Sequence, residues 1–335
     1  MEKNFTPIQE FGFSQLLTKL QNRSGYNREE IPDGKHFRSN ILSGNLFEGK
    51  KIVSSSSIFI DSVHFDLVYT PLEYLGQKVM ATAVSKIYAM NASPLLATIS
   101  VGFPNKVSVE MVNAIYDGFE KSSDLYKTSL RTTDVTAARE NVTISVHVIG
   151  ASDNSNIVEA GACNPGDQVC VTGDLGGAMA GLRVLLREKK AWQESGEKQF
   201  QPDLEPYQYV VQRQLLPRAR FDLLDGLRES GVNPSGMIDV SLGVMNEIQQ
   251  LVEWHGVGCE FFIPALPIAL ETRAVADEMK EDVDRYACYG GEDYELLFTL
   301  RPADVEHIKN KFNDFQVIGE ILEPEKGIVV HTGEE

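Results

Sequence analysis

Side chains that could do chemistry gather at four places in this chain. In the stretch 53–94, the β-branched and aromatic run from Val53 to Ile60 reads as a strand, with Ser54 to Ser57 inside it. Asp61 follows, His64 lies in the polar connection, and Ser85 and Lys86 lie on the helix expected next. A carboxylate, an imidazole, a hydroxyl and an ammonium around one strand end can hold or orient an anion. The second place, Ser129 to Thr136, carries Arg131, Asp134 and Thr136. The third, Ile238 to Val244, puts Asp239 and Ser241 at a strand-to-helix junction. The fourth, Gly290 to Phe298, sets Glu292, Asp293 and Tyr294 just after a glycine turn that leads into a strand. Carboxylate oxygens of this kind are what a hard cation takes.

The elements that must position these groups follow from periodicity. Leu75, Val79, Ala83, Ile87 and Met90 recur at three- and four-residue spacing and predict a helix, with Pro71 in its first turn and Asn91 and Pro94 stopping it. Ala97 to Val101 reads as a strand. Val107 to Tyr126 reads as an amphipathic helix capped by Ser108, with Val109, Val112, Tyr116 and Phe119 on its buried face. Val142 to Ile149 alternates as a strand and closes a first domain at 1–150; a second occupies 151–335. Phe11 to Leu20 reads as a short helix, residues 21–50 show no periodicity, and Asp33-Gly34 reads as an ordinary turn. Thr172 to Ala178 reads as strand, turn and helix through Lys189, before a polar excursion over 190–207. Its glycines suit a phosphate cradle or close strand–helix packing, and packing is the preferred reading. In the last block Tyr294, Leu296 and Phe298 are expected on one face of a strand.

Composition narrows the classes. With 48 acidic against 31 basic residues the net charge is −17, and no basic cluster breaks it, which argues against nucleic acid. No apolar run is long enough to cross a bilayer and no leader precedes the polar start, so a cytoplasmic protein without membrane contact is expected. Cys163, Cys170, Cys259 and Cys288 lack metal-knuckle spacing and read as buried free thiols.

In order and spacing these motifs resemble the thiamine-monophosphate kinase family, within the superfamily of aminoimidazole ribonucleotide synthetase-like ATP-binding enzymes. The family runs threonine-aspartate, three residues, glutamate-glycine, then valine-histidine-phenylalanine. Here the frame reads Ser56-Ser57, Ile58 to Ile60, Asp61-Ser62, then Val63-His64-Phe65. The family's asparagine-leucine-serine-aspartate becomes Ala83-Val84-Ser85-Lys86, and its glycine-glycine-aspartate-threonine leaves Asp134 and Thr136, with Thr132 and Thr133 in place of the glycines. Threonine at a position of positive φ would be strained, so this loop is expected to have changed shape. Isoleucine-aspartate-hydrophobic-serine-aspartate-glycine-leucine becomes Ile238 to Val244, with Leu242 for the second aspartate. Gly290 to Phe298 matches in full. The family's first glycine-aspartate-aspartate loop has no counterpart; Asn40 to Asn45 stands near its offset.

The resemblance implies an α+β, two-domain architecture. Its N-terminal ATP-binding-like domain would pair in a homodimer, and its C-terminal domain would be mixed α/β. It also implies phosphoryl transfer from ATP to thiamine monophosphate with Mg²⁺, giving thiamine diphosphate. Asp61, Asp134, Thr136, Asp239 and Ser241 would be the remnant of the nucleotide and metal site; His64, Glu292, Asp293 and Tyr294 would face the substrate. Ser57, Lys86 and Leu242 occupy positions where the family has metal ligands. The leading expectation is a member that has lost most or all kinase activity and binds a small phosphate-containing ligand, with Lys86 and Arg131 standing in for metal charge. An altered but active kinase is the alternative, its metal held by Asp61, Asp134, Asp239 and Glu292. A regulatory or structural dimer partner is the third reading. Strands 53–60 and 142–149, read as buried and apolar, are consistent with such a dimer.

Overall fold

The computed structural model describes residues 6–12, 15–16, 19–20, 49–153, 155–159, 161–196 and 202–333. They divide into two compact units, Met1–Ile87 with Ala92–Asn154, and Tyr88–Asn91 with Ser155–Glu335. The turns at Asp33-Gly34 and Asn40 to Asn45 lie outside the described residues.

In the first unit, a single helical turn α1 (Ile8–Phe11) precedes β1 (Lys50–Ile60), α2 (Leu72–Tyr88), β2 (Ser93–Phe103), α3 (Val109–Leu125), β3 (Ser129–Ala137) and β4 (Thr143–Asp153). Of the helix expected over Phe11 to Leu20, Leu16 and Leu20 are fully buried, and part of the segment lies outside the described residues. The strands form one sheet in the order β1-β4-β2-β3, antiparallel except for the parallel β2–β3 pair. Leu75, Val79, Ala83 and Ile87 are buried, as the spacing requires. Pro71 sits one residue ahead of the helix and its carbonyl accepts the first bond, from Leu75 N–H at 2.9 Å. Asn91 ends the helix in the left-handed region at φ 52°. Ser108 caps α3 by accepting Met111 N–H, and Val109, Val112, Tyr116 and Phe119 are buried. The two long helices touch backbone to backbone. A Cβ on Gly76 would stand 2.1 Å from the Ile115 carbonyl oxygen, and one on Gly118 would stand 2.0 Å from that of Glu73.

One expectation fails here. β1 is an edge strand rather than a buried one: Ile52 and Ile58 are 47% and 53% exposed on one face. Only the alternate residues Val53, Ser55, Ser57 and Phe59 turn inward. In β4, by contrast, Ile144, Val146 and Val148 are fully buried.

The second unit is a six-stranded sheet in the order β10-β7-β9-β5-β8-β6. Its strands are β5 (Gln168–Thr172), β6 (Gly236–Asp239), β7 (Gly258–Phe262), β8 (Leu296–Leu300), β9 (Phe315–Leu322) and β10 (Ile328–His331). Neighbours are antiparallel except β10–β7. Helices α4 (Gly177–Ser195), α5 (Gln208–Leu215), α6 (Phe221–Ser230), α7 (Val244–His255), α8 (Leu270–Met279), α9 (Val283–Tyr289) and α10 (Pro302–Lys309) accompany it. α4 runs past Lys189 to Ser195 and stops at Gly196 with φ 66°, so the polar excursion begins later than its composition implied. Val169, Val171, Phe261, Leu297 and Ile318 of the sheet pack with Ile248 and Leu251 of α7 in one core. All four cysteines are buried free thiols. The architecture is α+β, and no described helix is long and apolar enough to cross a membrane.

Candidate functional site

Alternation along β1 turns Ser55 and Ser57 toward α2. Ser55 Oγ donates to the Ala83 carbonyl at 2.9 Å, and Lys86 Nζ donates to Ser57 Oγ at 2.9 Å. Ser57 and Lys86, the substituted positions of the first motif pair, therefore hold each other. Ser85, one residue away, is fully buried, and its hydroxyl has no hydrogen-bond partner among the described residues. Asp61 is 3% exposed; it receives Leu67 N–H at 3.4 Å and pairs with Lys106 Nζ at 3.2 Å. Ser62 holds φ 68°, the left-handed conformation that glycine adopts without cost. His64 Nδ1 accepts Ile60 N–H at 3.1 Å, which puts the proton of the neutral ring on Nε2.

Thr132 and Thr133 do not adopt positive φ. The segment is a continuous strand, β3, in which Thr133 is an extra residue opposite the Ile99–Ser100 step, a β-bulge. Thr133 Oγ1 bonds Ser100 Oγ at 2.7 Å and the Ile99 carbonyl at 3.0 Å, while Thr132 bonds the Tyr116 hydroxyl at 3.0 Å. Asp134 is exposed and accepts its neighbour Val135 N–H at 3.0 Å; Thr136 is exposed further along the strand. Arg131 donates to the Leu130 carbonyl at 2.8 Å.

In the second unit, Asp239 ends β6 and is 7% exposed. Ser241 is engaged by a residue the motif reading missed: the Glu247 carboxylate accepts Ser241 N–H at 3.0 Å, Ser241 Oγ–H at 3.2 Å and Leu242 N–H at 2.7 Å. Burial raises the Glu247 carboxyl above the usual range. Leu242 itself is 58% exposed. Across from this turn, Gly291 has φ 71° and its missing Cβ leaves room for the Ser241 carbonyl, 2.6 Å from where that atom would lie. Glu292 and Tyr294 also hold positive φ, 60° and 52°. Tyr294 therefore lies in the turn, not on a common strand face with Leu296 and Phe298, because β8 begins at Leu296.

Asp293 explains the glycine-rich turn at 173–177. Its buried carboxylate accepts Gly176 N–H at 2.8 Å and Ala178 N–H at 3.1 Å, the free donors at the start of α4. A carboxylate from the chain itself thus takes the place a phosphate could occupy. Burial lifts the Asp293 carboxyl to about 7, against the opposing pull of Arg213 and the two N–H donors. Glu295, 1% exposed, accepts Thr172 Oγ1 at 2.6 Å and pairs with Arg213 at 3.0 Å and Arg220 at 2.8 Å. Gln214 donates to Glu292 at 3.1 Å. Arg213, Gln214, Arg220 and Glu247 carry no sequence signal of their own; only folding brings them to the motif residues.

Among the described residues, the positions read as family ligands do not assemble the several carboxylates that a cluster of Mg²⁺ ions would use. Mg²⁺ takes octahedral oxygen at about 2.0–2.1 Å, commonly one or two carboxylates with waters. In the first unit Ser57 is bonded to an ammonium and Asp61 to Lys106. In the second, an exposed leucine stands at 242. Among the described residues no group of three or more His, Cys, Asp or Glu is placed to hold a metal.

Residues 42–152 match the family described as AIR synthase related protein, N-terminal domain. The thiamine-monophosphate kinase of Aquifex aeolicus is 29% identical over 279 residues, 83% of each chain. A crystal structure of thiamine monophosphate kinase from Aquifex aeolicus superposes with a TM-score of 0.71 at 27% identity, over 84% of this chain and 88% of that one. Over most of its length the chain is similar to thiamine-monophosphate kinases. A family structure of AaThiL complexed with AMPPCP and TMP aligns over 99% of this chain and 98% of its own, with a TM-score of 0.73 at 25% identity. The shared fold thus extends over both units.

Proposed function

We propose that this chain is a thiamine-monophosphate kinase-like protein that keeps a site for a phosphorylated small molecule while phosphoryl transfer is lost or strongly reduced. The bond between Lys86 Nζ and Ser57 Oγ at 2.9 Å carries this reading. By family resemblance two carboxylates have become a hydroxyl and an ammonium, so the wall of the site already carries the positive charge that a bound cation would bring. Transfer between two anionic reactants depends on cations aligned with both. A single tethered ammonium can hold a phosphate, but it cannot bridge donor and acceptor as metal ions do. His64, with its Nε2 proton directed away from the Ile60 amide, is a second donor for such an anion; Arg131, expected to share that role, stands on the far edge strand β3 and, in register with Ser56 rather than Ser57, faces the other side of the sheet. Relatives named as thiamine-monophosphate kinases, one of them complexed with AMPPCP and TMP, make ATP and thiamine monophosphate the ligands to try first. The exposed Ile52 and Ile58 on edge strand β1 support pairing of two first units in a homodimer, in a protein of the cytoplasm.

Calorimetric titration with ATP and with thiamine monophosphate, each with and without Mg²⁺, tests the reading alongside an assay for thiamine diphosphate. Binding of either ligand independent of Mg²⁺, without turnover, is expected. The Lys86→Ala variant should then lose most of that affinity. Mg²⁺-dependent ATP binding with formation of thiamine diphosphate would overturn the proposal and establish an altered but working kinase.

A further inference from the structure

The second unit holds a pocket that the motif residues do not explain. It has a volume of about 420 Å³ and is lined by Met179 and Arg183 of α4, Lys280, Glu281 and Asp282 between α8 and α9, and Arg285, Tyr286 and Tyr289 of α9. That size admits a nucleotide-sized molecule. Its three cations outnumber its two acids, Glu281 and Asp282, in a chain of net charge −17.

The acids nearby do not neutralise them all. The Glu281 carboxylate is taken by Arg183 at 2.9 Å and by the Tyr286 hydroxyl at 2.7 Å. Asp282 caps α9, accepting Asp284 N–H at 3.0 Å. The Lys280 and Arg285 side chains have no ion-pair or hydrogen-bond partner among the described residues. The Lys280 backbone caps α8 in the left-handed region at φ 57°, a position where glycine would be at ease. The ring of Tyr289, 59% exposed at the end of α9, offers a flat apolar face beside these charges. The floor is firm, because a Cβ on Gly290 would lie 2.7 Å from Met179 Cβ and 2.3 Å from the Tyr286 carbonyl oxygen.

We infer that this pocket binds a phosphate-bearing small molecule with a planar ring, the phosphate held by Lys280 and Arg285 and the ring lying against Tyr289. Guanidinium and ammonium groups make short charge-assisted bonds to phosphate, and a ring over an exposed tyrosine gains stacking. The site uses none of the residues of the Lys86–Ser57 pair and does not depend on the function proposed above.

The test is calorimetric titration with inorganic pyrophosphate and with AMP, made both in the wild-type protein and in a Lys86→Ala background. Saturable binding that survives Lys86→Ala is expected. Adding Lys280→Gly and Arg285→Ala should weaken both probes by roughly tenfold or more, since two charge-assisted contacts are removed. Lys280→Gly suits the backbone at that position, and thermal unfolding of each variant verifies that the fold is kept. Tyr289→Ala should weaken AMP several-fold and leave pyrophosphate unchanged. Absence of saturable binding, or loss on Lys86→Ala alone, would overturn the inference. So would a Lys280→Gly, Arg285→Ala variant that binds both probes like its parent. Should that double variant fail to fold, Arg285→Gln alone, which keeps the side-chain length, must still weaken pyrophosphate measurably or the inference falls.

Discussion

Glu295→Gln is the sharpest perturbation of the second unit. The Glu295 carboxylate is 1% exposed and serves three donors: Thr172 Oγ1 at 2.6 Å, Arg220 at 2.8 Å and Arg213 at 3.0 Å. An amide keeps the shape and one acceptor oxygen but removes the charge that balances two guanidinium groups. Removing one partner of a buried ion pair costs about 3–5 kcal/mol, because the remaining charge stays desolvated. Here part of that loss is cushioned. Arg213 keeps Asp293 at 3.9 Å, and Arg220 keeps Asp222 at 2.9 Å and Asp314 at 2.6 Å. The lower end, about 3 kcal/mol, is therefore expected. With urea slopes of about 1–3 kcal/mol/M, the unfolding midpoint of the second unit should fall by about 1 M or more. The comparison is Lys309→Ala, which breaks an exposed pair with Glu306 on α10 and should cost under about 0.5 kcal/mol. Urea unfolding of both variants, followed by circular dichroism, decides the matter. A Glu295→Gln midpoint no lower than that of Lys309→Ala would refute the assignment of Glu295 as the counter-charge of this network.

Two further outcomes follow from single residues. Asp293 has its carboxyl raised to about 7, above its ordinary value of 3.8, so its contribution to stability is present in full below about pH 4 and is lost as pH rises through 7. Asp293→Asn should flatten the fall in stability between pH 4 and 7, and an unchanged pH profile of thermal unfolding would contradict this. At Ser62, φ 68° disfavours a β-branched side chain, so Ser62→Val should destabilise the first unit by about 1–2 kcal/mol while Ser62→Gly does not. Denaturant midpoints of the two variants check it.

Local pattern made much of the first unit legible. The spacing of Leu75, Val79, Ala83 and Ile87 places one face of α2 inside, and the cap at Ser108 with Val109, Val112, Tyr116 and Phe119 does the same for α3. These features depend on near neighbours in the chain, so a sequence displays them directly. The status of β1 was not legible, because an apolar run looks the same in a central strand and at an edge. Only the order β1-β4-β2-β3 shows that one face of β1 is uncovered. Alternation alone puts Tyr294 on a strand, yet it holds positive φ before β8 begins, its N–H donating to the Val240 carbonyl at 2.9 Å, a partner more than fifty residues away.

The candidate site divides along the same line. The resemblance to the family, the motif order and the residues at 57, 86 and 242 stand in the sequence itself. That Ser57 and Lys86, 29 residues apart, satisfy each other was decided by the packing of α2 against β1. Likewise, the glycines at 176 and 177 favour helix packing over phosphate binding without naming a partner, and Asp293, more than a hundred residues later, is what caps α4. The physical reason is common to both. Residue type fixes what a side chain can donate, accept or ionise, but which partner satisfies it is a long-range contact, and burial makes that choice obligatory by removing water as the alternative.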